Sequence, residues 1–445
     1  MMGFPPGPHP RYPGQFALAM RRDFLGFLRV LATEYGDAAG IHLGKQGIVL
    51  LNHPDLIRDV LVTHQRSFAK GRALEEARRI LGNGLLTSEG DFHLRQRRMA
   101  QPAFHRDRVA SYGAAMVHYA VRTRERWQDA QVIDMHAEMM RLTLAVVGKT
   151  LFDADVEGEA EQVGQALDDA LATFSVSMFP FAMWMQKLPL PSNRRFARAR
   201  ASLDALIYGM IAERRASGRD HGDLLSMLMQ ATDSDGDGRG MSDEQLRDEA
   251  LTIFLAGHET TANALTWTWY LLAQHAEVVS ALHAETDALG GVPSFADLPR
   301  LSYTRQVVAE AMRLFPPAYA IGRRALEPYS FGEFTIPAGT LVLVSPYLQH
   351  HDPRWFPDPE RFDPSRWIPE STASRPKFSY FPFGAGTRIC IGEQFAWSEA
   401  ILMLATLARD WAPELVAGHP VVLQPRITLR PKHGVRMVLR RRTSV

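Results

Sequence analysis

One cysteine stands in 445 residues, and its neighbours restrict what it can be. Cys390 lies in Phe383-Gly384-Ala385-Gly386-Thr387-Arg388-Ile389-Cys390-Ile391-Gly392, just ahead of a helical run over Glu393–Asp410. Three glycines in nine positions allow unusual backbone angles and close approach to a flat object. A helix that begins after the sulfur turns its N-terminal amides toward it and favours thiolate over thiol. A lone exposed thiolate is a liability, whereas a metal-bound one is an axial ligand. Haem iron suits one sulfur, a glycine-rich wrap and an arginine two residues upstream for a propionate. The competing reading is a buried, inert cysteine.

The segment resembles the cytochrome P450 superfamily of haem-thiolate monooxygenases, in its soluble bacterial form. That family's loop reads F-x-x-G-x-R-x-C-x-G, and Phe383, Gly386, Arg388, Cys390 and Gly392 fill its fixed positions. The resemblance implies a mainly α fold with small sheet regions. It implies one large haem domain over residues 1–445, strand-rich at roughly 35–70, 325–350 and 420–440, holding one haem b with O2 as co-substrate.

Composition agrees. A hydrophobic fraction of 46% supports a large core, and a formal charge of +1 points to no nucleic-acid or polyanionic partner. One cysteine excludes an internal disulfide framework and an iron–sulfur cluster. The start, Met1-Met2-Gly3-Phe4-Pro5-Pro6, lacks a signal peptide's pattern, and no apolar run reaches the ~20 residues of a membrane span. The expectation is a cytoplasmic monomer without a membrane anchor.

Along the chain, Ile41–Leu43 and Ile48–Leu51 read as a hairpin around Gly44–Gly47. His53-Pro54-Asp55 starts a helix through Val62, Gly82-Asn83-Gly84 breaks the chain, and a helix starts near Asp91. Residues 134–289 are mainly helical. Ser242-Asp243-Glu244-Gln245 is a capping box opening a long helix to about Ala273. Leu341–Val344 is a strand, and Arg426–Leu439, turning near Lys432-His433-Gly434, reads as a terminal hairpin.

In mid-helix, Ala256-Gly257-His258-Glu259-Thr260-Thr261 sets a glycine, an acid and two threonines in an apolar context. Glycine there is unfavourable by about 1 kcal/mol relative to alanine. By the resemblance, this stretch crosses the oxygen side of the haem. Ala256 and Gly257 border the groove, and Glu259 and Thr260 form the acid–alcohol pair that delivers protons during oxygen activation.

Glu310-Ala311-Met312-Arg313 puts an acid and a base one turn apart, and Pro359-Glu360-Arg361-Phe362 follows later. The resemblance implies a buried, structural ion triad of Glu310, Arg313 and Arg361 behind the cysteine loop. His93 and Arg97 lie one helical turn apart, at positions where the family reaches the haem propionates. Arg323 is a third such contact, with Arg324 the alternative in register, and Arg388 a fourth. Phe383, Gly384 and Gly386 frame the haem in the same loop.

Asp233-x-Asp235-x-Asp237-Gly238 with Glu244 fits the EF-hand calcium pattern, but Gly240 stands where that loop has an apolar residue, and no second loop accompanies it. A polar linker explains the composition as well.

Family topology gives pocket candidates Leu74, Leu85, Met178, Phe179, Phe254, Ala256, Ala318, Tyr319 and Ile427, each weighed against ordinary core packing. The set carries no charge. The expected reaction is insertion of one oxygen atom of O2 into an apolar substrate by hydroxylation or epoxidation. Terpenoid, fatty acid, steroid-like and macrocyclic substrates all stay open. Electrons are expected from a separate ferredoxin or flavodoxin with its reductase, docking near Arg95, Arg98 and Lys377. The alternative is a peroxide-driven haem-thiolate peroxygenase.

Overall fold

The computed structural model describes residues 3–153, 188, 190–233 and 238–442. Contacts divide the chain into two compact units: residues 1–75 with 312–390, and residues 76–311 with 391–445.

The first unit is organised by a five-stranded sheet. β1 (Ala38–Leu43) and β2 (Gln46–Leu51) form the expected hairpin, paired from Ala38–Leu51 to Leu43–Gln46. Gly44 takes φ 62° at its turn, a left-handed value that glycine accepts without strain. β8 (Leu341–Val344) joins β2 in parallel, then β5 (Ile321–Ala325) and β3 (Phe68–Lys70) follow antiparallel. Beside it, β6 (Tyr329–Phe331) and β7 (Phe334–Ile336) form a two-stranded ribbon. The branched and aromatic residues of these strands pack with Ile57, Val60 and Leu61 into one core. Phe381 and Ala385 of the cysteine loop are buried in that core. The apolar half of the loop is thereby anchored, while Cys390 stays exposed.

The second unit is mainly helical. The longest helix among its described residues, Asp243–Leu272, has 30 residues and opens on the expected capping box. Ser242 Oγ accepts from Gln245 N at 3.2 Å, and Gln245 Oε1 accepts from Ser242 N at 2.9 Å. This helix packs on Met135–Phe152, and Glu393–Ala408 packs on Arg106–Arg126. Twelve of the sixteen residues of Glu393–Ala408 are buried, so it is apolar almost all round.

β4 (Val132–Asp134) pairs with β12 (Arg436–Val438), which also pairs with β9 (Glu414–Leu415). β10 (Leu423–Pro425) and β11 (Leu429–Pro431) form a separate hairpin. This corrects the sequence reading of the chain end. The hairpin turn is Arg426–Thr428, not 432–434. Asp134 captures the later bend, its Oδ1 accepting from Val435 N at 3.0 Å, and β12 is drawn away to pair with β4.

Candidate functional site

The cysteine loop is shaped by its backbone. Gly384 and Gly386 take φ 73° and 70°. A Cβ on Gly386 would lie 2.1 Å from the Leu61 carbonyl oxygen and 2.6 Å from Gln65 Oε1, so no other residue fits there without displacing the loop. Gln65 Oε1 accepts from Thr387 N at 2.8 Å, and Cys390 N donates to Phe383 O at 2.9 Å, closing the loop on itself. His350, fully buried, accepts from Phe381 N at Nε2 over 3.1 Å. Burial holds its ring well below the ordinary histidine range, which keeps that nitrogen an acceptor.

Arg313 is fully buried and donates to three backbone carbonyls: His350 at 2.9 Å, Pro359 at 2.7 Å and Arg361 at 3.0 Å. Arg361 therefore serves through its carbonyl. Its side chain is exposed, against the expectation of a buried triad, because the 359–361 turn is fixed by main-chain acceptors. Glu310, on the same helix Ser302–Leu314, is fully buried. Arg323 is buried on β5, with Nη1 donating to Gly322 O at 3.0 Å. Arg324 instead pairs with Glu75 at 2.8 Å near the surface, which separates the two neighbours by environment. Arg388 reaches the Gln65 carbonyl at 3.4 Å.

In the second unit, the middle of the long helix has two different faces. Phe254, Leu255, His258, Glu259 and Thr261 are buried, whereas Ala256 is exposed and Gly257 and Thr260 are partly so. Thr260 Oγ1 donates back to Ala256 O at 2.6 Å. The Glu259 carboxylate points elsewhere, accepting from Thr428 Oγ1 at 2.6 Å. Consecutive helical residues stand about 100° apart, so neighbours in sequence serve different faces.

His93 is buried, with Nδ1 3.1 Å from the Leu85 carbonyl and 3.3 Å from Ser88 Oγ. A carbonyl acceptor makes Nδ1 the protonated nitrogen. Arg97, one turn on, is partly exposed.

The loop carrying Leu85 is also gripped from the long helix, a pair of contacts the sequence did not suggest. Asp248 Oδ2 accepts from Asn83 N at 2.6 Å, and Glu249 Oε2 accepts from Leu85 N at 3.0 Å. Two adjacent acids at the start of a buried stretch were the available signal. Glu399 was missed too. It is fully buried, burial pushes its carboxyl up to about 8, and the Thr261 hydroxyl pulls more weakly the other way.

Several expectations change. Phe254 is core, set edge-on to Phe152 with ring centroids 5.7 Å apart, because its face of the helix meets Met135–Phe152. Leu74, Ala318, Tyr319 and Ile427 are half-buried, and Leu85 is buried. Met178 and Phe179 lie outside the described residues. Arg95 and Arg98, expected to meet an electron donor, both pair with Asp233, at 3.3 and 2.9 Å. Asp233 also heads the calcium pattern, whose Asp235 and Asp237 lie outside the described residues. Lys377 is exposed.

The donor set fits haem. It offers one exposed thiol on a loop wrapped by left-handed glycines, and buried or half-buried Arg and His side chains suited to carboxylates. No helix of the described residues is long and apolar enough to cross a membrane.

Comparison with known proteins agrees. The family model described as Cytochrome P450 matches residues 4–434. "Cyclooctatin synthase" of Streptomyces melanosporofaciens is 41% identical over 418 residues, covering 93% of this chain and 90% of that protein. "Cyclooctat-9-en-7-ol 5-monooxygenase" of the same organism is 40% identical, covering 90% and 87%. "Pentalenene oxygenase" of Streptomyces avermitilis is 36% identical, covering 93% and 90%. The solved structure of "Retinoic acid bound cyanobacterial CYP120A1" superposes with a TM-score of 0.88 at 26% identity, covering 99% of this chain and all of that one. The sulfur loop and the two-faced helix thus belong to a chain that is, over nearly its whole length, a member of the cytochrome P450 family of haem-thiolate monooxygenases.

Proposed function

We propose that this monooxygenase hydroxylates or epoxidises a terpenoid carbocycle, with Cys390 as the iron ligand and Thr260 as the proton-delivering alcohol. The observation that carries the reading is the narrow exposed strip of Ala256, Gly257 and Thr260 on a helix otherwise buried around it. A surface so small in residue volume, carrying one hydroxyl, suits a small diatomic.

Haem b with a thiolate ligand, when bound, supplies the reductive activation of dioxygen. Cys390 would hold the iron, with Phe383, Gly384 and Gly386 shaping the loop around it. Arg97, Arg323, Arg388 and His93 would hold the propionates by charge-assisted hydrogen bonds. At rest the Thr260 proton is committed to the Ala256 carbonyl. Rotation of the hydroxyl frees that proton for the exposed face; Glu259, whose carboxylate rests on Thr428, restores it after taking up a proton and turning back toward Thr260. Glu310 and Arg313 have a structural role, Arg313 fixing the carbonyls of 350, 359 and 361.

The substrate class rests on two supports. Leu74, Leu85, Ala318, Tyr319 and Ile427 carry no charge, and two relatives are named for pentalenene and cyclooctat-9-en-7-ol, an olefin and an unsaturated alcohol. Electrons would come from a ferredoxin or flavodoxin with its reductase, with the exposed Lys377 as a docking charge.

The test is Thr260→Ala, assayed with pentalenene-like carbocycles and a ferredoxin system. The variant is expected to keep the substrate-induced shift of the Soret band while diverting electrons from product to hydrogen peroxide. Unchanged coupling of electron use to product would overturn the role of Thr260. Absence of a Soret shift across such carbocycles, with a shift from another apolar class, would overturn the substrate reading.

A further inference from the structure

Glu259 is held by a residue from outside its own helix. Thr428 Oγ1 donates to Glu259 Oε1 at 2.6 Å, and Asn263 Nδ2 donates to Thr428 Oγ1 at 3.0 Å. All three are buried, at 6%, 5% and 0% exposure for Glu259, Thr428 and Asn263. The short chain has a direction. The Asn263 amide donates into the threonine oxygen, so the single hydroxyl proton of Thr428 is available to the carboxylate. Each bond polarises the next, and a buried carboxylate gains more from such a donor than a neutral group would.

The geometry also registers the hairpin against the helix. Asn263 stands one turn after Glu259, so the helix itself supplies the far end of the chain. Thr428 closes the β10–β11 turn, where Arg426 N donates to its carbonyl at 3.0 Å. One residue on, the Leu429 carbonyl accepts from Trp267 Nε1 of the long helix at 2.9 Å. Two successive hairpin residues therefore grip successive turns of the helix, and the first of them sets the direction of the acid. Ile427, the half-buried residue before Thr428, sits on the same turn.

We infer that Thr428 is a positioning residue for proton delivery, orienting Glu259 through its hydroxyl and tying the acid to the terminal hairpin. The inference rests on the reading of Glu259 as the acid. The Thr428 hydroxyl donates to Glu259 and not to the Thr260 alcohol, so its role runs through the acid.

The experiment uses the full-length haem-loaded enzyme with a ferredoxin system and compares Glu259→Gln, Thr428→Val, Thr428→Ser and the double variant Glu259→Gln/Thr428→Val. Valine keeps the shape and removes the donor. The peroxide share of consumed electrons is expected to rise at least about threefold in Thr428→Val and to return in Thr428→Ser. The double variant should be no worse than Glu259→Gln alone, as for residues acting through one contact. A second readout does not depend on turnover: the infrared carboxylate band lost in Glu259→Gln should shift in Thr428→Val. If Glu259→Gln leaves the peroxide share unchanged, the reading of Glu259 as the acid fails and the inference falls with it. If Glu259→Gln raises that share but Thr428→Val does not, or the two effects add in full, Thr428 alone is overturned. An unshifted band in Thr428→Val overturns it as well.

Discussion

The cysteine loop and the middle of the long helix are built by opposite means. In the loop, the main chain does the shaping: two glycines at φ 73° and 70°, an amide closed on Phe383 O, and Arg313 spread over three carbonyls. In the helix, the main chain is regular and side-chain direction decides everything. Thr260 turns to the exposed strip and Glu259 to Thr428. Backbone shape fixes residue types one by one, so it leaves a motif. Side-chain direction depends on partners far along the chain and leaves little trace in the local letters.

The largest expected effect breaks the loop's side of that contrast. Cys390→Ala should abolish the red-shifted Soret band of the reduced carbon monoxide complex and all product formation. Retention of that band would mean the loop does not present the iron ligand.

Gly386→Ala tests whether backbone shape is the constraint. A positive φ at a non-glycine residue costs of order 1–3 kcal/mol, and the Leu61 carbonyl and Gln65 add a steric conflict. Urea unfolding should show a loss of at least that size, with reduced haem content at equal protein. Full stability would show that the loop yields more readily than its contacts imply.

Glu399→Gln sharpens the helix side through its pH dependence. The native Glu399 carboxyl is raised from the ordinary 4.5 to about 8, so it folds preferentially in its protonated form. Its contribution to stability is full below 4.5 and is lost as pH rises through about 8. Over that window the parent should lose roughly 1.4 kcal/mol per pH unit relative to Glu399→Gln, and the two curves should run parallel above it. Denaturant melts from pH 5 to 9 check this, and parallel curves throughout would mean Glu399 is ionised in the fold.

The same contrast explains what was legible. Phe383, Gly386, Arg388, Cys390 and Gly392 announced the loop, and Ser242 with Gln245 announced the start of the helix, because both motifs satisfy local backbone groups. The strand Leu341–Val344 showed in its branched residues. The hairpin turn at Arg426–Thr428 did not, since Asp134, some 300 residues upstream, captures the competing bend. The exposed Arg361, the ion pairs of Arg95 and Arg98 with Asp233, and the direction of Glu259 escaped for the same reason. Each depends on a partner that no local window contains.

The grip of Asp248 and Glu249 on the loop before the His93 helix has a consequence for which changes the loop can absorb. Both acids hold main-chain amides, those of Asn83 and Leu85. Amides are common to every residue except proline. At position 85 the identity of the side chain is therefore independent of the fastening. Mutations there can exchange one side chain for another against the same fixed frame, without having to reinvent the frame each time.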